Sequence, residues 1–395
     1  MHKLIKNEFI KLHYRKKFII TIIIFALICG LFSFAYSKIQ SLSTPDAQIN
    51  LLNKSKAELQ REKNATSDNT KKQQLEQSIS ELDNEIDQLK TKKQTSNSKD
   101  WKTTLKNNID TLRDQKNSAT DISPDNAKEN YNKQIIFYQY FIDHNIKPQT
   151  NGTFSAFNFL QALFKLLGPL FIPIIIAILS ADIVSGEYTP PTMKMLLTRP
   201  ASRGKILVSK FVTILVSSMI IITVIELISY LVMGIIYGFD NPMYPVLVGT
   251  KYTSSAIKLT QDSTGLIPVL GSSHVTTTWS FIIQMFLFQL LYILACCSLF
   301  ILFSTILRSS SISMTLSILI TIVVNILSSI SYLAKASPFF FTTYGSTSSI
   351  LDSSIIESAG VTYITPLFSC LFLVIFAAIC YSIAAYVFQK KDINI

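Results

Sequence analysis

Six long apolar stretches constrain the fold of this chain more than any other feature. Each has between 19 and 29 residues, whereas a helix needs about 20 mostly apolar residues to cross the hydrocarbon core of a bilayer. The stretches are Phe18–Tyr36, Phe159–Ala181, Phe211–Tyr237, Trp279–Leu307, Ile312–Ala334 and Leu367–Phe388. A bilayer offers no hydrogen-bond partner to exposed backbone groups, so segments of this kind are helical. The sequence therefore predicts an all-α polytopic membrane protein with six transmembrane helices.

The distribution of basic residues predicts the orientation of these helices. The chain is 49% hydrophobic and 15% charged, with a formal net charge of +11, whereas a soluble domain has about 25% charged residues. Fourteen Lys and Arg residues lie in the N-terminal segment, two loops and the C-terminal tail on one side, against three in the two short loops opposite. Positive residues stay in the cytoplasm. We therefore expect both termini to be cytoplasmic, and we attribute the net charge to topology and not to nucleic-acid binding.

The first apolar stretch has a rival interpretation as a secretory signal peptide. Ala35 and Ser37 form a weak small-x-small cleavage pattern after Phe34. However, 19 apolar residues exceed the core of an ordinary signal peptide, and this favours an uncleaved span over residues 18–37. All five cysteines fall in the apolar stretches. We therefore expect the large loop after the first span to fold without disulfides.

That loop, residues 38–158, is predicted to be an extracellular helical insert between spans one and two. Apolar residues at heptad spacing in 49–59 and again in 75–89 are typical of a coiled-coil seam. The polar stretch 64–69 between them suits a turn, which predicts an antiparallel hairpin of two helices. Further apolar patterns predict a third helix from Trp101 and a fourth that starts near Ser123-Pro124-Asp125. A mobile stalk remains the alternative, because two heptads form a short coiled coil.

Residues 1–17 have the pattern of a helix that lies along the cytoplasmic membrane surface. Leu4, Ile5, Phe9 and Leu12 share one face, and the lysines lie away from it. Such a helix places its lysines among anionic head groups. Topological anchoring by the same charges is the alternative explanation.

A second cytoplasmic segment, residues 182–210 between spans two and three, has the features of a docking surface. Met193, Leu196 and Leu197 form a small apolar ridge that is flanked by prolines and basic residues. Arg199 and Arg203 can make bidentate contacts with carboxylates. A short helix presented in this way can press into a soluble partner.

This segment resembles the permease subunits of type-2 ABC transporters. The resemblance rests on Asn7-Glu8-Phe9 near the N-terminus and on Glu187, Thr192, Lys194, Leu196, Leu197, Pro200, Ser202, Arg203, Ile206 and Lys210. It covers roughly residues 1–38 and 155–395. Two departures are Pro191, where the family commonly has glycine, and the length of the first external loop.

The resemblance implies a half-transporter whose ATP is bound by another subunit. The partners would be a cytoplasmic ATP-binding subunit, a second permease subunit (identical or different) and the lipid bilayer, with no nucleic acid. The residues expected to couple to the ATP-binding subunit are Glu187, Thr192, Met193, Lys194, Leu196, Leu197, Arg199, Ser202 and Arg203. The sequence contains no phosphate-binding loop. We therefore expect this chain to have no catalytic residue, bound metal or cofactor of its own.

Within the spans, Glu226 is the polar residue that stands out. An intramembrane carboxylate is costly, so it faces a pore or partner, or is hydrogen-bonded inside the bundle. Gln284, Gln289 and Asn325 are expected to join helices. Lys165 is expected to extend toward the outer surface. The segment from Pro338 to Pro366 is apolar enough to form short membrane-bound helices, with a plain surface loop as the alternative.

Three functions are consistent with these patterns. The first is an exporter of an amphiphile, such as a peptide antibiotic, drug or lipid-like molecule, in the plasma membrane of a bacterium; this substrate class rests on analogy. The second is a sensor or mechanotransmission protein that works through its extracellular coiled-coil stalk. The third, a membrane enzyme, is disfavoured because no nucleophile-base or metal-ligand pattern is evident.

Overall fold

A computed structural model describes eight continuous parts of the chain and isolated residues between 72 and 90. The continuous parts are residues 1–42, 44–65, 100–118, 125–148, 155–187, 202–239, 241–254 and 266–390.

Helices dominate the described residues. They are α1 (His2–His13), α2 (Lys16–Leu42), α3 (Pro45–Ala65), α4 (Trp101–Ser118), α5 (Asp125–Asp143), α6 (Ala156–Ser180), α7 (Arg203–Tyr237), α8 (Thr278–Ile306), α9 (Ser310–Ser329), α10 (Thr347–Leu351), α11 (Ser354–Ala359) and α12 (Pro366–Lys390). Six of them, α2, α6, α7, α8, α9 and α12, are long and apolar enough to cross a membrane. The expectation of six spanning helices is confirmed.

Three spans differ clearly in extent from the sequence prediction, and the first of them, helix α2, continues to Leu42, six residues past Tyr36. Span three, helix α7, begins at Arg203, eight residues before the predicted start at Phe211. Span five, helix α9, ends at Ser329, and a 3-10 helix from Ser331 to Phe339 follows it. Hydropathy placed the end of span five at Ala334 because apolar residues continue past the serines, and hydropathy does not distinguish an α-helix from a 3-10 helix.

Helix α8 lies at the centre of the bundle. Of the most apolar part of this helix, 67% is buried, against 17% for α2 and for α9. Helix α8 packs most extensively against α12 and also contacts α6 and α7. The peripheral helices expose large apolar side chains, among them Leu31 on α2 and Ile326 on α9. A bilayer accommodates such a surface, since lipid tails are as apolar as these side chains.

The loop between α7 and α8 contains four short strands, a local exception in a chain whose described residues are mostly helical and agree with the all-α expectation. The strands are β1 (Pro245–Val248), β2 (Tyr252–Ser254), β3 (Leu266–Pro268) and β4 (His274–Thr277). β1 pairs with β4 and β2 with β3, both antiparallel. Gly249 and Gly271 adopt positive φ at the bends between strands, which a side chain would disfavour. The strands are three or four residues long, and this is too short for a clear alternating pattern.

This strand region joins the large insert to the short helices before span six. The third and fourth helices predicted in the insert are confirmed as α4 and α5, and they pack through Leu105 and Phe141. The Phe141 ring meets Tyr244 of the strand region at 5.1 Å between centroids. On the other side, the Tyr252 hydroxyl donates to Glu357 of α11 at 3.1 Å. Burial and the nearby Glu357 carboxylate raise the pKa of Tyr252, which keeps this donor protonated.

Helix α3 covers the first half of the predicted hairpin. Lys56 and Lys63 form ion pairs with Asp83 and Glu76 respectively, in the order that antiparallel chains require. Most of residues 66–99, where the second helix of the hairpin was predicted, lie outside the described residues.

Short helices fill the segment between spans five and six, as one of the two expectations had it. A second 3-10 helix, Phe341–Gly345, lies against α6, and a side chain at Gly168 would overlap the Gly345 carbonyl. Pro169 has no N–H to donate to the carbonyl of Lys165. The Ser346 hydroxyl donates to that carbonyl instead, at 3.3 Å. The segment before span six thus supplies the hydrogen bond that Pro169 removes from α6.

Candidate functional site

Four elements meet at one end of the bundle, here called the basic end. They are α1, the C-terminal end of α6 with the 3-10 helix Ser185–Glu187, the start of α7 and the end of α12. Helix α1 packs against α7 and α2. The predicted docking segment, residues 182–210, begins and ends here.

A ring of four alternating charges joins three of these elements. The Lys210 ammonium lies 3.0 Å from Glu8 Oε2 and 3.0 Å from Glu187 Oε1. The Lys11 ammonium closes the ring at 3.4 Å from Glu187 Oε1 and 3.6 Å from Glu8 Oε1. We call these four residues the Lys210 ring. It links α1, the end of α6 and the first turns of α7.

The ring is largely removed from solvent. The Lys210 side chain is 0% exposed, and the carboxylates of Glu8 and Glu187 are 8% and 5% exposed. Lys11 is the most accessible member, at 38%. A buried charge without a partner is strongly destabilising, whereas two carboxylates and two ammonium groups compensate one another. The ring therefore couples the positions of three elements, because moving one of them apart would leave a charge uncompensated.

Asp182 forms a second ion-pair group with the N-terminal segment. Asp182, at the end of α6, accepts from Arg15 at 2.8 Å and lies 3.6 Å from the Lys17 ammonium. These two cations stand at the junction of α1 and α2. The end of α6 is thus bound to the N-terminal segment at two levels, Asp182 and Glu187.

Ser304 of α8 holds the turn that places Glu187. Its hydroxyl accepts from the backbone N–H groups of Val184 and Ser185, at 3.2 and 3.1 Å, and donates to the Ala181 carbonyl at 3.0 Å. These backbone groups lie at and just after the end of α6, where the helix itself no longer supplies hydrogen-bond partners. The central helix α8 therefore fixes the short 3-10 helix that carries Glu187.

The predicted site residues after the docking segment lie at the start of span three. Ser202 is the exposed N-cap residue of α7. Arg203 donates to the Gln389 carbonyl in the last turn of α12, at 3.0 Å. A cation at a helix C-terminus is favourable, since the carbonyl groups there carry partial negative charge. Arg203 thereby connects span three to span six.

The structure places Glu187 differently from the sequence interpretation. We expected its carboxylate on a docking surface, but the residue is 4% exposed and its carboxylate is used by Lys210 and Lys11. The other predicted coupling residues lie outside the described residues; they are Thr192, Met193, Lys194, Leu196, Leu197 and Arg199. Glu187 and Lys210 lie on either side of the undescribed residues 188–201, and their ion pair holds the two flanks together.

Glu226 lies inside the bundle and is hydrogen-bonded there, which is one of the two alternatives that the sequence left open. It is 0% exposed, and Gln289 Nε2 of α8 lies 2.8 Å from both carboxylate oxygens. Gln289 was expected to join helices, and it does so between spans three and four. Gln284, by contrast, is exposed and bonds to Ser280 within α8.

Sequence reasoning missed the partnership between the N-terminal helix and Lys210. Glu8 and Lys210 had both been noted as positions of a resemblance, but their separation of 202 residues hides the contact. The available signal was an acidic residue in a lysine-rich amphipathic helix and a lysine directly before an apolar span. Among the described residues, no group of His, Cys, Asp or Glu side chains could hold a metal ion.

Comparisons with known proteins agree with this architecture. The uncharacterized protein YhcI of Bacillus subtilis (strain 168) is 34% identical to this chain over 111 residues, which span 28% of this chain and 34% of YhcI. The chain thus covers about a third of the length of that relative. A family model described as ABC-2 family transporter protein matches residues 2–393. Since that match extends over nearly the whole chain, the protein belongs to the ABC-2 transporter family, whose members are membrane components of ABC transporters.

Proposed function

We propose that this chain is the permease subunit of an ABC exporter, driven by a separate ATP-binding subunit at its basic end. Membership of the ABC-2 family supports such a partnership. The basic end would face the cytoplasm of a bacterial cell, in agreement with the positive-inside rule. ATP chemistry would take place in the partner, and this chain would contribute the movement of its spans.

The Lys210 ring is the observation that supports coupling at this end. Residues 188–201 are the part of the chain proposed to contact the ATP-binding subunit. Their flanks are bound to each other and to α1 by the contacts of Lys210 with Glu187 and Glu8. Displacement of the segment would then move α1, α6 and α7 together as a rigid body. The amphipathic α1 would carry the movement to the membrane surface.

An amphiphilic molecule is the proposed substrate, and a second permease subunit is the proposed partner within the membrane. Helices α2 and α9 are 17% buried and present apolar faces, which suit contact with lipid or with another copy. A pathway between two such subunits could open sideways to the bilayer, from which an amphiphile would enter.

Purification from the host membrane in mild detergent tests this proposal. We expect this chain to co-purify with a phosphate-loop ATPase in equal stoichiometry and to stimulate ATP hydrolysis after reconstitution in nanodiscs. Deletion of residues 192–199 should abolish the association while leaving the spans inserted. Recovery of the chain without an ATPase, or an association that survives this deletion, would contradict the proposal.

A sensor or mechanotransmission protein is the second candidate, favoured by the attachment of the insert to the strand region. Glu129 of α5 is 0% exposed and accepts from the Gly271 N–H at 2.7 Å and from the Ser273 hydroxyl at 2.5 Å. The strand region continues directly into α7 and α8, so force on the insert would reach spans three and four. Deletion of residues 45–145 distinguishes the candidates: retained export supports the exporter, and lost signalling without measurable flux supports the sensor.

A further inference from the structure

A polar cavity of about 420 Å³ lies where spans two and five meet the short helices before span six. Its walls come from α6, α9, the two 3-10 helices, α10 and α11. Eight of its fifteen lining residues carry hydroxyl groups, and they include Ser337, Thr342 and Ser349. Two further cavities of the bundle are, by contrast, lined mainly by apolar side chains.

The charged residue in the cavity lining is positive. Lys165 of α6 is the cationic residue of the lining, and no acidic residue is among the fifteen. Asn325 of α9 adds an amide. A lysine in a spanning helix is expensive unless it reaches water or a partner. Lys165 is exposed, so its ammonium group is accessible both to water and to a negatively charged ligand.

Thr342 contributes a buried hydroxyl to the wall of this cavity. The residue is 0% exposed, and its hydroxyl has no hydrogen-bond partner among the described residues. Five other hydroxyls of the lining donate to backbone carbonyls; they belong to Ser328, Ser329, Thr343, Ser346 and Ser358. A buried polar group without a partner costs free energy. The Thr342 hydroxyl therefore has a proton available for a ligand that enters the cavity.

Three lining groups can donate a hydrogen bond to a ligand: the Lys165 ammonium, which can only donate, and the Thr342 hydroxyl and Asn325 amide, which can also accept. They match an anion rich in acceptor oxygens, since charge-assisted hydrogen bonds to such oxygens are the strong ones. Apolar residues of the same lining, among them Leu170 and Ile355, suit the beginning of a hydrocarbon chain.

We propose that this cavity binds an anionic oxyacid group, of the phosphate or carboxylate class, through Lys165, Asn325 and Thr342. The group is the head of an amphiphile or a free anion, and the test below distinguishes these sources. The interpretation of the cavity as the site for the head of a transported amphiphile rests on the proposed permease function. Its interpretation as an anion site does not.

Equilibrium binding of radiolabelled dodecyl phosphate to the purified protein, in nanodiscs of neutral phosphatidylcholine, tests the proposal. The assay contains no nucleotide. We expect Lys165→Gln and Thr342→Val each to weaken binding about tenfold, the effect of losing one hydrogen bond to a charged group. Lys251→Gln is the matched control for charge, since Lys251 is exposed in the strand region. Thr347→Val is the matched control for the hydroxyl, because Thr347 is 0% exposed and its hydroxyl also lacks a partner in the described parts of the chain, but it does not line the cavity.

The outcomes separate the possibilities. Tighter binding of dodecyl phosphate than of inorganic phosphate, with loss in both cavity variants, supports an amphiphile head; equal competition by inorganic phosphate supports a free anion in the same site. Equal binding by Thr342→Val and Thr347→Val, or equal binding of dodecyltrimethylammonium, overturns the proposal. Suppose that dodecyl phosphate binding falls in both cavity variants but that the chain co-purifies with no ATPase. That pair of results would refute the permease function and still support the anion site.

Discussion

Lys210 and Glu8 lie 202 residues apart in the chain, and their side chains form an ion pair of 3.0 Å inside the protein. The contact joins a spanning helix to the amphipathic N-terminal helix. Because Glu187 shares the same ammonium, the pair also fixes the end of span two. The N-terminal helix is therefore joined to the bundle at the basic end by buried ion pairs.

Removal of the Lys210 charge should destabilise the protein strongly. Lys210→Met leaves two buried carboxylates with Lys11 as their remaining counterion in the ring, and breaking a buried pair in this way costs about 3–5 kcal/mol. The apparent melting temperature in detergent measures the effect, with Lys205→Met on the exposed face of α7 as the control. Adding Glu8→Gln to Lys210→Met restores neutrality and should recover part of the loss. Equal melting temperatures for the two lysine variants would show that the ring contributes no stability.

Loss of the amide that donates to Glu226 should also destabilise the bundle. Gln289→Leu leaves a buried carboxylate without its described donor, a change that costs about 1–3 kcal/mol or more because the group can be charged. Gln284→Leu, five residues earlier on the exposed side of α8, should be nearly neutral. Thermal unfolding in detergent compares the two variants, and a larger effect at Gln284 would refute this account of Glu226.

The insert should loosen from the strand region when Glu129 loses its charge. Glu129→Gln weakens the bonds to Gly271 and Ser273, and hydrogen bonds to a charged group contribute about 1.5–3 kcal/mol. Hydrogen exchange of α5 and of residues 266–277 should accelerate, while exchange in the spans stays unchanged. Asp143→Asn, on the exposed end of the same helix, serves as the control. Unchanged exchange in Glu129→Gln would show that packing at Phe141 alone holds the insert.

A methyl group at Gly168 should force α6 away from the short helices. The new Cβ would overlap the Gly345 carbonyl, and overpacking of this kind costs about 1–3 kcal/mol. Gly30→Ala is the matched control, because a Cβ at Gly30 meets no other atom within 4 Å. Thermal stability of the two variants tests the close approach, and a Gly168→Ala variant as stable as Gly30→Ala would contradict it.

The spans could be predicted from sequence because hydropathy over 20 residues reports directly on the bilayer as a solvent. The helices at Trp101 and Asp125 were predicted from local periodicity in the same way. Contacts between distant segments have no such signal. Glu8 was identified within a resemblance to a family, but nothing in the sequence indicated that it meets Lys210.

Burial was equally hidden from sequence reasoning. Glu187 was assigned to the surface because it lies in a polar segment with basic residues. In the structure, Ser304 binds the backbone of the turn that precedes Glu187, and this turn is buried. The short strands were missed because three or four residues show too little alternation to be recognised. Lys165 and Asn325 were each interpreted alone, and only the fold brings them to one cavity.

The central claim is that the Lys210 ring transmits the action of an ATP-binding subunit to the spans. ATP hydrolysis by the purified complex in nanodiscs tests it most directly, comparing Lys11→Gln with Lys6→Gln, an exposed lysine of the same helix. Lys11 closes the ring and is its most accessible member, so its substitution should leave the complex assembled. The account predicts that Lys11→Gln lowers the stimulation of hydrolysis by the permease about fivefold, the lower end of typical coupling energies, while Lys6→Gln leaves it unchanged. Equal stimulation in both variants and in the unmodified complex would contradict the claim.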